Sequence, residues 1–186
     1  MKLFWKIVKE SLKVLIITSL ISSIGGIGLE SVNEQLVALL PILILLPALN
    51  NMIGSFGTVI SARISTLLYM GKINEKGLWK SHSAGNLFVK IAVIAFVSSI
   101  YISLLASAVA IVKGFDMNAL FVIKLMIVTI MITSLLIVLM FWISVTAGFY
   151  VFKKNKDPDN FLIPLTTSIA DLGTMLLMSG VVIWLF

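Results

Sequence analysis

The chain has 186 residues, of which 60% are hydrophobic and only 12% are charged, and its formal net charge is +6. Soluble domains carry about 25% charged residues, and a chain of this length could not bury so much apolar surface in a soluble core. The composition therefore predicts an integral membrane protein. The absence of cysteine excludes disulfides, thiol catalysis and cysteine metal sites, and the single histidine, His82, cannot form a His-rich metal site.

Five apolar segments are long enough to cross a bilayer. The first is Val14–Leu29, and its lead-in carries four lysines at helical spacing on one face. This face predicts an interfacial helix lying on anionic lipid headgroups. A cleaved signal peptide is the alternative, because a basic start precedes an apolar region. We favour a retained helix, since four more spans follow.

The second segment, Glu34–Met70, would extend about 55 Å as one helix, whereas the hydrocarbon core is roughly 30 Å thick. It contains Pro41, Pro47 and the pair Asn50–Asn51 within "PALNN". These residues predict a kinked or broken helix. A break at membrane depth is tolerated mainly where the freed backbone lines a cavity, so its carbonyl oxygens become candidate ligands.

The third, fourth and fifth predicted spans are Phe88–Val112, Ala119–Phe152 and Phe161–Phe186. The connectors between the spans are too short to hold a soluble domain. We therefore expect residues 1–186 to form a single all-α transmembrane domain with no cytosolic regulatory domain.

The basic residues predict the orientation, because cytosolic connections carry an excess of lysine and arginine. They gather at the ends of the apolar segments instead of on one surface, which argues against nucleic-acid binding. An N-inside, C-outside arrangement leaves Glu30, Glu34 and Asp116 outside with Lys113 and Lys124. It places on the inside Lys2, Lys6, Lys9, Lys13, Lys72, Lys76, Lys80, Lys90, Lys153, Lys154 and Lys156.

Asp171 lies near the middle of the fifth span, roughly 15 Å from its start. Carboxylates inside a membrane are rare and usually face a polar cavity or a partner charge. We therefore expect a functional role for Asp171, and the alternative is a salt bridge to Arg63. The polar or helix-breaking residues that share its face at three- and four-residue steps are Pro164, Thr167, Ser168 and Thr174.

The second span carries a matching stripe at the same spacing. Small residues at such intervals in membrane helices most often form packing surfaces. Packing alone is accordingly the favoured interpretation of Gly54, Thr58, Ala62 and the segment Ser22–Gly26. The stripe consists of Asn51, Gly54, Thr58, Ser61 or Ala62, and Ser65.

Carboxylate, hydroxyl, amide and carbonyl oxygens are hard ligands, which suit Mg²⁺, Ca²⁺ or Mn²⁺ better than copper or structural zinc. One aspartate per chain is little for a divalent ion, but Mg²⁺ keeps several waters and needs only one or two carboxylates. A homodimer with two copies of Asp171 on its axis would supply two negative charges. The odd number of spans fits such a half-pore completed by symmetry.

Two segments resemble the paired signatures of the MgtE family of magnesium channels, and still more those of the related eukaryotic solute-carrier magnesium transporters. They are "PALNNMIGSFGTVISARISTLLYMGKI" and "DPDNFLIPLTTSIADLGTMLLM". The resemblance implies a dimerising five-helix domain whose second and fifth helices line the pore. It also implies that Asp171 holds a hydrated Mg²⁺ on the pore axis. Family members commonly have Gly-Asn where this chain has Gly54-Ser55, which weakens the transfer of an amide ligand to Ser55.

Stripes and resemblance together predict a homodimeric, multi-pass transporter of divalent cations in a prokaryotic plasma membrane, with Mg²⁺ favoured over Mn²⁺, Co²⁺ or Ca²⁺. A passive channel and a Na⁺- or H⁺-coupled exchanger are not distinguished by sequence. The predicted metal residues are Asp171, Thr167, Ser168, Asn51 and Ser55. The predicted pore and vestibule residues are Asn50, Gly54, Thr58, Ser61, Arg63, Asp157, Asp159, Asn160 and Thr174.

Some alternatives remain open. Asp159 or Asn160 in "KDPDN" is expected to cap the fifth helix, and capping alone is as good an explanation of Asp157 and Asp159 as ion binding. A membrane assembly subunit, in which Asp171 makes a structural charge pair, is the alternative to a transporter. An intramembrane enzyme is disfavoured, because the spans supply no nucleophile–base pair.

Overall fold

A computed structural model of the protein describes residues 2–73 and 82–185. Throughout this part of the chain the regular structure is α-helical, as predicted. Its six helices are α1 (Lys2–Glu30), α2 (Asn33–Ala38), α3 (Leu40–Tyr69), α4 (His82–Val112), α5 (Ala119–Lys153) and α6 (Asp159–Leu185).

Five of these helices are long and apolar enough to cross a membrane, and α2 is the short exception. The five candidate spans confirm the predicted number, and the chain is an integral, multi-pass membrane protein. α4 begins at His82, six residues before the predicted start, so part of the polar connector extends the helix. Lys76, Lys80 and the predicted end at Phe186 lie outside the described residues.

α1 runs without interruption from Lys2 to Glu30, and its apolar span begins at Ser11. The basic lead-in and the apolar span therefore form one continuous helix, and the placement of the lead-in on lipid headgroups stays a prediction. The lead-in contains no glycine or proline that would break the helix, so it continues the axis of the span. The side chains of Lys2, Lys6 and Lys9 lie outside the described part, so their common face stays a prediction.

The predicted break in the second segment is confirmed, but it lies at Leu39 (φ −103°, ψ 69°) between α2 and α3. Pro41 sits in the first turn of α3, where its missing N–H has no helical partner to lose. "PALNN" itself is helical, with Pro47 inside α3. Because proline has no N–H, Pro47 leaves a carbonyl group of the preceding turn without its helical hydrogen bond. Asn50 and Asn51, which follow Pro47, keep a helical backbone.

α6 packs against α1, α3 and α5, and α3 and α5 also pack against each other. Residue contacts along the helices show that α1 runs parallel to α6, whereas α3 and α5 run antiparallel to it. α4 packs against α3 and α5. Two glycines allow close approach. A Cβ atom built on Gly25 would lie 3.0 Å from the Cα atom of Leu172, and one on Gly57 would lie 3.1 Å from the Cβ atom of Thr166.

The alternating helix directions give the bundle two chemically different ends. Most described lysines lie at one of them, and we call it the basic end: Lys13, Lys72, Lys153, Lys154 and Lys156. The other, the acidic end, carries Glu30, Glu34 and Asp116 together with Lys113.

The contact between α1 and α6 makes a stability prediction. Gly25→Leu must push the two backbones apart, and overpacking of this kind costs about 1–3 kcal/mol. Gly26→Leu is the matched control, because nothing lies within 4 Å of a Cβ atom built there. Thermal unfolding in detergent should show a lowered Tm for Gly25→Leu and a near-native Tm for Gly26→Leu. Equal Tm values for the two variants would contradict the close approach of α1 to α6.

Candidate functional site

A cavity of about 530 Å³ lies between α3 and α6. It joins the two predicted polar stripes, so the two helices expected to act together do share one site. Its walls are formed by Leu46, Pro47, Asn50, Asn51, Gly54, Ser55 and Thr58 of α3 and by Thr167, Asp171 and Met175 of α6.

Asp171 is the acidic residue of this cavity, and two other helices hold its carboxylate. Asn50 Nδ2 on α3 donates a hydrogen bond of 2.8 Å to Oδ1, and Ser22 Oγ on α1 donates one of 3.1 Å to Oδ2. The Asn50 amide must point its nitrogen at the carboxylate, because two facing oxygens would repel. Its own Oδ1 is then buried with no hydrogen-bond partner in the described structure. The carboxylate is thus fixed from two sides.

Neither donor carries a charge, so the two hydrogen bonds stabilise a carboxylate without neutralising it. The alternative partner, Arg63, lies thirteen residues beyond Asn50 on α3, which is roughly 20 Å along the helix. Its side chain is exposed near the basic end. An arginine cannot bridge that distance, so the Asp171–Arg63 salt bridge is not formed. A charge pair with Arg63 therefore does not explain Asp171.

The three hydroxyl groups that line the cavity beside Asp171 donate their protons within their own helices. Ser55 Oγ donates to the Asn51 carbonyl at 2.8 Å, Thr58 Oγ1 to the Gly54 carbonyl at 3.2 Å, and Thr167 Oγ1 to the Ile163 carbonyl at 2.9 Å. A hydroxyl has one proton and two lone pairs. These oxygens can therefore still accept hydrogen bonds or ligate a cation, but they have no proton left to donate.

Seven of the predicted site residues do not line this cavity, and three of the seven are buried between the helices. Ser61 is fully buried, with its Oγ atom 3.0 Å from Thr166 Oγ1 and 3.5 Å from Ser144 Oγ. Ser168 is buried and donates to the Pro164 carbonyl at 2.7 Å. Thr174 is also buried in the core. None of the three lines the cavity, because their helix faces are covered by neighbouring helices.

Gly54 and Thr58, for which packing was the favoured interpretation, line the cavity instead. Nothing lies within 4 Å of a Cβ atom built on Gly54, so this glycine makes no close helix contact within the chain. The packing interpretation holds for α1, where Gly25 fits against α6. Similar spacing therefore serves two purposes in different helices.

The acidic pair near the start of α6 lies at the basic end, about twelve residues or roughly 18 Å along α6 from Asp171. Asp157 Oδ1 accepts a hydrogen bond of 3.1 Å from the Asp159 N–H. The capping carboxylate is therefore Asp157, and not Asp159 or Asn160 as predicted. Asn160 lines a different cavity. Within the described residues no cluster of three His, Asp or Glu side chains could hold a metal ion.

Sequence reasoning missed the role of Ser22 and the lining residues Leu46 and Met175. Ser22 lies 149 residues from Asp171 along the chain, in a stretch of small residues typical of helix packing. The available signal was its place on the same face as the glycines that contact α6. Leu46 and Met175 are apolar residues among many, and no sequence signal distinguishes them.

The fold and the site define a multi-pass membrane protein with a polar, acid-bearing cavity between two of its spans. Residues 46–181 match the family model of MgtE, described as a divalent cation transporter. The match covers more than two thirds of the chain and includes the whole cavity, so the chain belongs to the MgtE family. No curated protein sequence and no solved structure matches the chain significantly.

The hydrogen bond from Asn50 can be tested by a double-mutant cycle. Hydrogen bonds to charged groups are worth about 1.5–3 kcal/mol, so Asn50→Ala should lower the free energy of unfolding by about that amount in divalent-free detergent solution. The same substitution should cost much less in an Asp171→Ala background, because the acceptor is gone. Asn51→Ala is the control, since Asn51 is exposed. An equal cost of Asn50→Ala in both backgrounds would contradict the coupling.

Proposed function

We propose that this protein carries divalent cations, and Mg²⁺ in particular, across the membrane. The observation that carries the proposal is the Asp171 carboxylate, which is held by two neutral donors and faces a cavity whose described lining residues include no basic side chain. Membership of a family of divalent cation transporters supports the same conclusion. A carboxylate is costly in a membrane interior, and such residues usually mark the pathway of an ion of opposite charge.

The cavity lining suits a hydrated cation. The waters around Mg²⁺ point their hydrogen atoms outward, and Ser55, Thr58 and Thr167 present oxygen atoms that accept without donating. Six waters at about 30 Å³ each need roughly 180 Å³, which fits within the cavity volume of about 530 Å³. Direct coordination by several carboxylates is not required, because Mg²⁺ gives up its waters reluctantly.

A second copy of the chain would complete the path. Asn51 and Ser55 line the cavity yet are exposed, so the cavity is open on one side of the chain. Two copies facing each other there would close it and place two Asp171 carboxylates around one axis. Their two negative charges would balance one divalent ion, whereas a single carboxylate leaves a net positive charge in the membrane interior.

Orientation follows from the distribution of charge. The basic end, which holds Lys13, Lys72 and the lysines between α5 and α6, is proposed to face the cytosol. The acidic end then lies outside, where Glu30 and Glu34 favour the approach of cations. Asp171, in the middle of α6, lies near the bilayer midplane in this arrangement.

Removal of the central carboxylate is the first test. Asp171→Ala should abolish Mg²⁺ flux into reconstituted vesicles, and Asp171→Asn should raise the half-saturating Mg²⁺ concentration at least about tenfold, because loss of a nearby unit charge costs more than 1.4 kcal/mol. Asp116→Asn is the matched control, since Asp116 is an exposed acid between α4 and α5. Flux of Asp171→Ala equal to wild type would refute the proposal. Competition with Mn²⁺, Co²⁺ and Ca²⁺ in the same assay ranks the ions.

The second test concerns the dimer. The chain has no cysteine, so a single introduced thiol reports one position. Ser55→Cys should give covalent dimers with a short bis-maleimide in membranes, because the cavity faces its copy. Tyr101→Cys on α4 is the control, since this residue is 65% exposed on a helix that does not contribute to the cavity. Equal cross-linking at both positions, or cross-linking at Tyr101 alone, would place the dimer interface elsewhere.

A further inference from the structure

A second cavity, of about 410 Å³, lies at the basic end between α1, the end of α5 and the start of α6. It is separate from the Asp171 site and plays no part in the proposed ion path. α1 packs chiefly against α6, and this cavity lies in the gap between α1 and α5. Its lining has two parts. The charged side chains at the basic end of the bundle form the rim, and the apolar side chains form the wall.

The rim is basic. Lys13 of α1 and Lys154 and Lys156, which follow α5, all line the cavity with exposed side chains. Asp157 also lines it, but its Oδ1 accepts the Asp159 N–H at the start of α6. Three positive charges thus face one negative charge that is already hydrogen-bonded. The excess of positive charge calls for an anionic ligand.

Tyr150 helps to fix the rim. The Nζ atom of Lys154 lies 4.1 Å from the centroid of the Tyr150 ring, which is a cation–π contact. Lysine and tyrosine side chains commonly lie at the membrane–water interface, where an apolar body can be buried and a polar tip can stay wet. The contact holds one ammonium group at the mouth of the cavity.

The wall is apolar and extends away from the rim toward the membrane interior. Val14, Ile17, Val151 and Phe161 contribute to it. Ile17 lies one helical turn beyond Lys13, and Ala147 lies seven residues before Lys154, which is about 10 Å along α5. A small soluble anion would satisfy the lysines and leave this wall unused. A molecule with an anionic head and apolar chains would use both.

We propose that this cavity binds an anionic phospholipid of the leaflet at the basic end. Its phosphate lies against Lys13, Lys154 and Lys156, and the upper part of its acyl chains lies along Val14, Ile17 and Val151. Basic pockets between transmembrane helices are suited to anionic headgroups in this way. The bound lipid fills the gap between α1 and α5 that the protein leaves open.

Lipid binding to the purified protein in neutral detergent, measured by native mass spectrometry and by titration with phosphatidylglycerol, tests the proposal. Each basic residue near an anionic lipid is worth about 1 kcal/mol, or roughly a fivefold change in affinity. The double variant Lys154→Gln/Lys156→Gln should therefore bind phosphatidylglycerol roughly 25-fold more weakly. Lys113→Gln, an exposed lysine at the acidic end, is the matched control and should bind like wild type.

Two further binding measurements determine the chemical class of the ligand. Phosphatidylcholine should bind much more weakly than phosphatidylglycerol, and glycerol phosphate without acyl chains should not compete at equal concentration. Competition by glycerol phosphate would identify a soluble-anion site and overturn the proposal, as would unchanged phosphatidylglycerol affinity in the double variant. Asp171→Ala should bind the lipid normally, so failure of the ion-transport proposal and failure of the lipid proposal are distinguishable.

Discussion

The arrangement of the bundle depends on how one carboxylate is held in the middle of a membrane helix. Asp171 receives one hydrogen bond from α3 and one from α1, through Asn50 and Ser22. Both contacts require the helices to approach closely, and Gly57 and Gly25 remove the Cβ atoms that would hold them apart. Because a buried charge without such donors would cost several kcal/mol, the packing of three helices and the chemistry of one side chain constrain each other.

α3 contributes to two polar clusters on neighbouring turns, one around Ser61 and one containing Ser55 and Thr58. Only the second is suited to binding a ligand. In the buried core, Ser61 lies within hydrogen-bonding distance of both Thr166 and Ser144. Their polar capacity is used within the protein, so they act as contacts between helices. Ser55 and Thr58 instead donate to their own helix and keep free lone pairs in an open cavity. Serine and threonine side chains thus stabilise helix packing in the core, whereas in the cavity their oxygen atoms are free to accept hydrogen bonds from a ligand.

The sequence predicted the five spans, because hydropathy depends on local residues alone, and it predicted only part of each polar stripe that lines the cavity. It did not separate Thr58 from Ser61, three residues apart on one stripe, because only tertiary packing decides which of them meets a neighbour. Ser22 was assigned to packing for the same reason, since its partner is 149 residues away. The break at Leu39 was predicted only to within several residues, because Pro41 permits a helix start as well as a kink.

α1 contacts the Asp171 carboxylate on one face and is exposed on the other. It is the long helix with the least protein cover, and Leu20, Ile24 and Ile27 on its outer face are more than half exposed. The same helix supplies Ser22 to Asp171 and Lys13 to the cavity at the basic end. Ser22 lies nine residues, or roughly 14 Å, from Lys13 on one continuous helix. One continuous helix therefore borders both the Asp171 site and the proposed lipid site.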